Sequence, residues 1–331
     1  MRTGVKWMKE QAKNDRLKHD ESRSGLNLVM VCCIILLIGS VSFSAGYLFG
    51  AGQNNPQRCA GMTVIDDLGR NVTLNKIPER FVSLASSVTE VLFAVGLGGR
   101  VVGVDDFSDY PQEAKNITKV GSFNLNYELI VSLKPDLIVG ADITSRQQIS
   151  ELESRGFAVM ILAPKTIHGI LQDIRLIGLV SGNAEKAMNL ANSLSARIDA
   201  VLLKTSNASL SRPRTYLEYY PYWTFGPGSF GDDLIRMAGG SNIAMNATIS
   251  YPMVNDEWVI QSDPEVIIYT VGSGTSTTNE TIKARPGWSQ ITAVKENRIY
   301  SIDDNIVARP GPRMVDALES LAKIIHPELF R

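Results

Sequence analysis

The sequence predicts an α/β protein of two Rossmann-like lobes with parallel sheets, joined by one long rigid helix and preceded by an N-terminal transmembrane helix. Three observations give this reading. A fourteen-residue pattern occurs twice without a gap, from Asn126 to Val139 and from Asn255 to Ile268, with every matched pair 129 positions apart. Between the copies lies an unusually long helical stretch over 166–204, interrupted only at Ser181-Gly182. At the other end, residues 26–49 run without a formal charge.

That run of 24 residues is about 36 Å long as a helix, against a hydrocarbon core of roughly 30 Å. Arg2, Lys6, Lys9, Lys13, Arg16, Lys18 and Arg23 precede it, so the positive-inside rule puts residues 1–25 in the cytoplasm and the remainder outside. A cleaved signal peptide is the other reading, with Ser42-Phe-Ser44 or Ser44-Ala-Gly46 as its site; length favours an uncleaved anchor. Residues 50–61 are a small, polar tether. The expected organisation is a cytoplasmic stub 1–25, an anchor 26–49, a linker 50–61, lobe one 62–165, a helical connector 166–206 and lobe two 207–331.

Within lobe one, 81–84 reads as a buried strand, 87–95 as a helix closing at Gly96, and 100–104 as the next strand, closing at Asp105-Asp106. Strand, helix, strand is the grammar of a parallel sheet. Further strands fall at 136–139 and 157–162, with a helix over 144–155. In the connector, Asn183 is placed to cap a second helix over 184–204, about 32 Å long, whose Ala187, Leu190, Ala191, Leu194, Ile198, Val201 and Leu202 form one stripe. Lobe two follows with strands at 215–219 and 298–302 and helices at 232–237 and 313–325. Lobes joined by a stiff helix capture ligand with small motions.

The formal net charge is −1 and no Lys/Arg face is clustered, which excludes nucleic-acid binding. Of three cysteines, Cys32 and Cys33 lie in the apolar run and Cys59 in the linker, so the folded part has no disulfide framework. Five sequons, at Asn71, Asn116, Asn207, Asn246 and Asn279, all lie on the expected outer side. The three histidines, His19, His168 and His326, are far apart in sequence, and no Cys or His pair has metal-ligand spacing. No protein metal site, catalytic group or resident cofactor is expected; a transported metal arrives already wrapped in a chelator.

Each copy of the repeat reads as an Asn cap, a Glu in the first turn, an apolar-faced helix, a proline stop and a buried strand. Glu128 and Glu257 thereby occupy matched places on the two lobes. Each alone favours the helix dipole; together they also fit a two-fold partner bearing arginines. Phe107, Tyr110 and Phe123 near strand ends of lobe one, and Trp223, Phe225 and Tyr251 in lobe two, are either core or the walls of a crevice at the carboxyl ends of the strands. Arg309, in Arg309-Pro-Gly-Pro-Arg313, is either a solvated turn residue or a fork for a ligand anion. Gly226, Gly228 and Gly231 spell G-x-G-x-x-G, but Asp232 and Asp233 would repel a pyrophosphate there, so the glycines serve a tight turn.

These segments resemble the substrate-binding proteins of ABC importers for cobalamin, iron siderophores and haem. The likeness runs from Met62 to Arg331, through Pro78-Glu-Arg80-Phe-Val-Ser-Leu with Thr89-Glu90, Phe107-Ser-Asp-Tyr-Pro111, the Asn126 unit, Ser229 to Asn242, Arg285-Pro-Gly-Trp288 and Arg309 to Arg313. The resemblance implies a cleft ligand, a corrinoid or ferric chelate with haem as the alternative. It implies a dimeric permease with its ATPase as partner, docked through Glu128 and Glu257. It also implies aromatic contacts at Phe107, Phe123, Trp223 and Tyr251. Gly140-Ala141 stands where the cobalamin binders have an aromatic. Two other classes fit less well: an NAD-type oxidoreductase using the Gly226 loop, and a sensor or adhesion module binding protein.

Overall fold

Two parallel sheets with the same strand order organise the chain. A computed structural model describes residues 61–207, 211–272 and 276–331. The expected stub, membrane span and, apart from Gly61, linker lie outside them, as do Cys32, Cys33 and Cys59. Among the described residues no helix is long and apolar enough to cross a membrane.

The first described element is an antiparallel hairpin of β1 (Met62–Ile65) and β2 (Asn71–Leu74), which the sequence patterns did not predict. Its turn is built on Asp66, whose Oδ1 accepts from the backbone N–H groups of Leu68 and Arg70. Asp66 Oδ2 also accepts from Ile161 N at 3.1 Å, which moors the hairpin to lobe one.

Strands β3 (Phe81–Ser83), β4 (Val101–Val104), β5 (Leu137–Ala141) and β6 (Val159–Leu162) pair in parallel in the order β4-β3-β5-β6. Their runs of buried Val, Ile and Leu suit a sheet covered on both faces. In lobe two, β7 (Arg214–Tyr220), β9 (Ser241–Asn242), β10 (Val266–Val271) and β11 (Ile299–Asp303) pair in parallel in the order β9-β7-β10-β11, with β8 (Trp223–Thr224) antiparallel beside β7. The second order repeats the first.

The repeat accounts for this likeness down to single residues. Helix Tyr127–Leu133 is capped by Asn126, which accepts from Leu129 N at 3.0 Å; helix Asp256–Ser262 is capped by Asn255, which accepts from Trp258 N at 2.9 Å. Both helices end on a left-handed residue at the matched position, Lys134 (φ 47°) and Asp263 (φ 41°), just before Pro135 and Pro264. β5 and β10 follow at once, each central in its sheet.

The connector is two helices, Ile167–Ser181 and Ala184–Thr205, joined through left-handed Gly182. Asn183 does not cap the second helix with its side chain, as its position suggested. Its Nδ2 donates instead to Val95 O at 3.0 Å, tying the helix junction to lobe one. Helix Ala184–Thr205 packs on Ile167–Ser181 and on the C-terminal helix Met314–Ile325. One apolar core runs from Phe81 and Leu92 through Ile174, Leu194 and Ile198 to Leu217 and Leu321, and so joins both sheets. Separate clusters around Ile138 and around Trp288 fill the outer faces of lobes one and two.

Candidate functional site

In open parallel sheets ligands sit outside the carboxyl ends of the strands. At that edge of lobe one, the loop after β4 carries Phe107 and the loop after residue 120 carries Phe123. Both rings are large apolar groups left in solvent, 55% and 47% exposed, and they meet edge to face with centroids 6.1 Å apart.

The backbone beneath them is firmly braced. Asp105 is buried; its Oδ2 accepts from Phe107 N at 3.0 Å and its Oδ1 accepts from the Ser108 hydroxyl. Burial pushes the Asp105 carboxyl up, against the pull of these donors and of Lys119. Lys119 Nζ donates to the carbonyls of Asp105 and Ser108. Asp106 N donates to Ser122 Oγ, and Gln148 Nε2 donates to the carbonyls of Ser122 and Phe123, so the two phenylalanine loops are fixed to one another. Exposed rings on a hydrogen-bonded frame form a preorganised contact surface.

In lobe two the aromatic residues divide. Phe225 is in the core, 1% exposed, against Tyr219 and Phe230 at 5.4 Å each. Its place beneath the surface follows from Gly231, where a Cβ would meet the Phe225 ring at 2.1 Å. This close approach is a reason for one glycine of the G-x-G-x-x-G run that needs no pyrophosphate. Trp223 is likewise buried, bridged to exposed Met253. Tyr251 is half-buried, edge-on to Phe225 at 6.0 Å, and so stands between core and surface. Thr224 N→Pro252 O and Gly226 N→Ser250 O hydrogen bonds hold its loop against the β8 hairpin.

The Arg309-Pro-Gly-Pro-Arg313 turn meets lobe one directly. Arg309 Nη1 lies 2.6 Å from Asp109 Oδ1 and 3.6 Å from Glu90 Oε1, so its charge is already engaged. Arg313 forks onto buried Glu90 and its guanidinium lies over the Tyr110 ring at 4.0 Å, so Tyr110 shields an ion pair between lobes. Burial pushes the Glu90 carboxyl up, while Arg313 and Arg309 pull it back. Sequence reasoning missed Glu90 and Asp109. Thr89-Glu90 in an otherwise apolar helix was the available signal, since a carboxylate there needs a buried partner.

Glu128 and Glu257 are both exposed on the first turns of their matched helices, and neither makes a hydrogen bond or ion pair among the described residues. Beneath Glu257, lobe two is fixed by a second buried network. Arg285 forks onto Glu218 at 2.6 and 2.7 Å and stacks on Tyr222 and Trp288, while Trp288 Nε1 and Tyr222 Oη both donate to Asp256.

Two parallel-sheet lobes of one strand order, with apolar rings exposed at a strand-end edge, define a solute-binding protein. The chain belongs to the periplasmic binding protein family, whose model matches residues 81–306. It is 31% identical to an uncharacterized ABC transporter substrate-binding lipoprotein, YvrC, of Bacillus subtilis, over 82% of this chain and 87% of that one. It is 29% identical to a vitamin B12-binding protein of Vibrio cholerae, over 73% and 87%. Among solved structures it is similar to the apo periplasmic heme-binding protein RhuT of Roseiflexus sp. RS-1, with TM-score 0.68 and 28% identity over 76% of this chain and 99% of that one. It is also similar to the periplasmic vitamin B12-binding protein BtuF of Vibrio cholerae, with TM-score 0.67 and 27% identity over 77% and 99%. This is the family that the sequence motifs resemble.

Proposed function

We propose that the chain is the substrate-binding protein of an ABC importer, held at the outer face of the membrane through residues 26–49, that captures a metal chelate between its lobes. The ligand is a corrinoid or a ferric siderophore. The braced, exposed Phe107/Phe123 pair carries this reading, because rings held in solvent by hydrogen bonds to their backbone fit a large, partly apolar ligand. Tyr251 faces the ligand from lobe two, Phe225 supports it from behind, and Trp223 is buried in the adjoining hairpin. Tyr110 and Arg309 form the rim.

The exposed Glu128 and Glu257 are the docking points for a dimeric permease and its ATPase, whose arginines they meet as matched carboxylates. The names of relatives agree with this role: a substrate-binding lipoprotein of an ABC transporter and two binders of vitamin B12 or heme. Haem ranks third. The Tyr219 ring packs against core Phe225, and the buried His326 ring has both nitrogens engaged by Glu328 and Gly239.

The test is calorimetric titration of the full chain in nanodiscs with a corrinoid, a ferric hydroxamate, a ferric catecholate and haemin. One-to-one binding of a corrinoid or ferric siderophore supports the assignment. Silence across the panel overturns it in favour of a protein-binding module.

A further inference from the structure

The cleft edge has already committed its arginines. Arg309 Nη1 touches Asp109 and Glu90, and Arg313 gives its Nε and Nη2 to Glu90, so each guanidinium already faces a carboxylate of lobe one as its counter-charge. Arg285 is held deeper, on Glu218.

The loops at the carboxyl ends of the strands carry few other cations. The strand ends and the turns that follow them hold Asp105, Asp106, Asp109, Asp142, Asp303 and Asp304, while the loops after β7, β9 and β10 have no charged residue. Against these stand Arg309, Arg313, Lys165, which is 3.8 Å from Asp142, and Lys115, whose charge acts on Asp109 and is offset by Glu113 in the same turn. Lys119 is turned to backbone carbonyls, and Arg146 begins the helix beyond the β5 loop. That Asp109 and Glu90 contact Arg309 and Arg313 shows that the loop after β4 faces the segment after β11, so their charges act on one space.

We propose that this edge makes the protein select uncharged or cationic metal chelates and discriminate against anionic ones. The inference rests on the cleft-binding reading above and narrows its ligand class. An anion entering here is repelled by exposed Asp106 and finds Arg309 and Arg313 already paired with Asp109 and Glu90; a cation or an amide-rimmed neutral chelate meets carboxylates and aromatic faces. In a partly desolvated cleft such charge differences act far more strongly than in bulk water.

The test uses the full chain in nanodiscs, titrated with the ferric complex of a linear trihydroxamate bearing a free ammonium group, the same complex acetylated to neutrality, cyanocobalamin, a ferric tris-catecholate trianion and haemin. The expected result is that the tightest ligand is neutral or cationic and exceeds both anions by at least about tenfold, with any cationic binding weakened by added salt. Asp109→Asn, which removes the shorter of the two carboxylate contacts of Arg309, should narrow that gap by raising the affinity for the trianion. Tighter binding of either anion by the natural chain overturns the charge selection while leaving chelate capture intact. A gap unchanged in Asp109→Asn overturns the role of Arg309 pairing, and failure of every chelate to bind overturns the capture reading itself.

Discussion

Arg313 of lobe two forks onto Glu90 of lobe one, with Nε 2.9 Å from Oε2 and Nη2 2.6 Å from Oε1, and the carboxylate is 3% exposed. An ion pair buried between lobes holds them in register on this side while its desolvation offsets much of the attraction.

Breaking the pair from one side should therefore be costly. Arg313→Ala leaves Glu90 buried with Arg309 alone and is expected to destabilise the chain by about 3–5 kcal/mol at neutral pH. The sign with pH is fixed by Glu90, whose folded-state carboxyl, already raised, rises further when its main partner goes. A raised acid contributes stability that is present below its unfolded value and is lost as pH rises, so the deficit of the variant should shrink toward pH 4.5 and widen above it. Denaturant melts at several pH values measure this.

Asp173, 4% exposed in helix Ile167–Ser181, has its carboxyl pushed up from 3.8 to about 9 by burial and by the neighbouring Asp67. Held neutral, it donates to Asp67, whose Oδ2 also accepts from Ala163 N. Its contribution is complete below pH 3.8 and falls as pH rises toward 9, because the unfolded chain releases this proton first. Asp173→Asn keeps a donor and removes the titration. The Tm advantage of the variant should grow steadily from pH 5 to pH 9; parallel curves would show that Asp173 is ionised in the fold.

Lobe two depends on the Glu218–Arg285 pair, with side chains 1% and 12% exposed. Arg285→Met should lower stability by about 3–5 kcal/mol, since it strands a buried carboxylate. It also takes the cation from above Tyr222 and Trp288. A Tm unchanged in Arg285→Met would mean that Glu218 finds solvent or another donor.

The proposed docking and capture roles rest on different residues and can be tested apart. Replacing both Glu128 and Glu257 with Ala should abolish uptake in vesicles carrying the permease and ATPase, while chelate affinity stays within a few-fold. Both side chains are exposed and support no other contact among the described residues, so stability should change by less than about 0.5 kcal/mol. Collapse of ligand binding in this variant would refute the docking role.

What the sequence revealed follows the range of the forces involved. The repeat was legible because caps, proline stops and apolar strands are local signals, and Asn126, Asn255, Pro135 and Pro264 act within one turn of where they stand. The hairpin of β1 and β2 was missed because its turn depends on one side chain, Asp66, gathering N–H groups, with its mooring to Ile161 at a separation of 95 residues. Asn183 offered a cap by position, but Val95 O competes for its amide from a strand-helix unit folded earlier in the chain. The commitment of Arg309 was invisible for the same reason, as Asp109 is 200 residues away. Aromatic residues gave no sign of which would be core: Phe225 is drawn under by Gly231, while Phe107 and Phe123 are held out by Asp105 and Gln148.

The most direct test of capture between the lobes is equilibrium binding of the preferred chelate to the full chain and to a Phe107→Ala/Phe123→Ala variant. Loss of two preorganised aromatic contacts at about 1–2 kcal/mol each should weaken binding by roughly a hundredfold while the melting curve is preserved, since both rings are already in solvent. Saturable one-to-one binding in the natural chain that falls this far in the variant is the predicted result. Binding that is absent in both, or unchanged by removal of both rings, would contradict it.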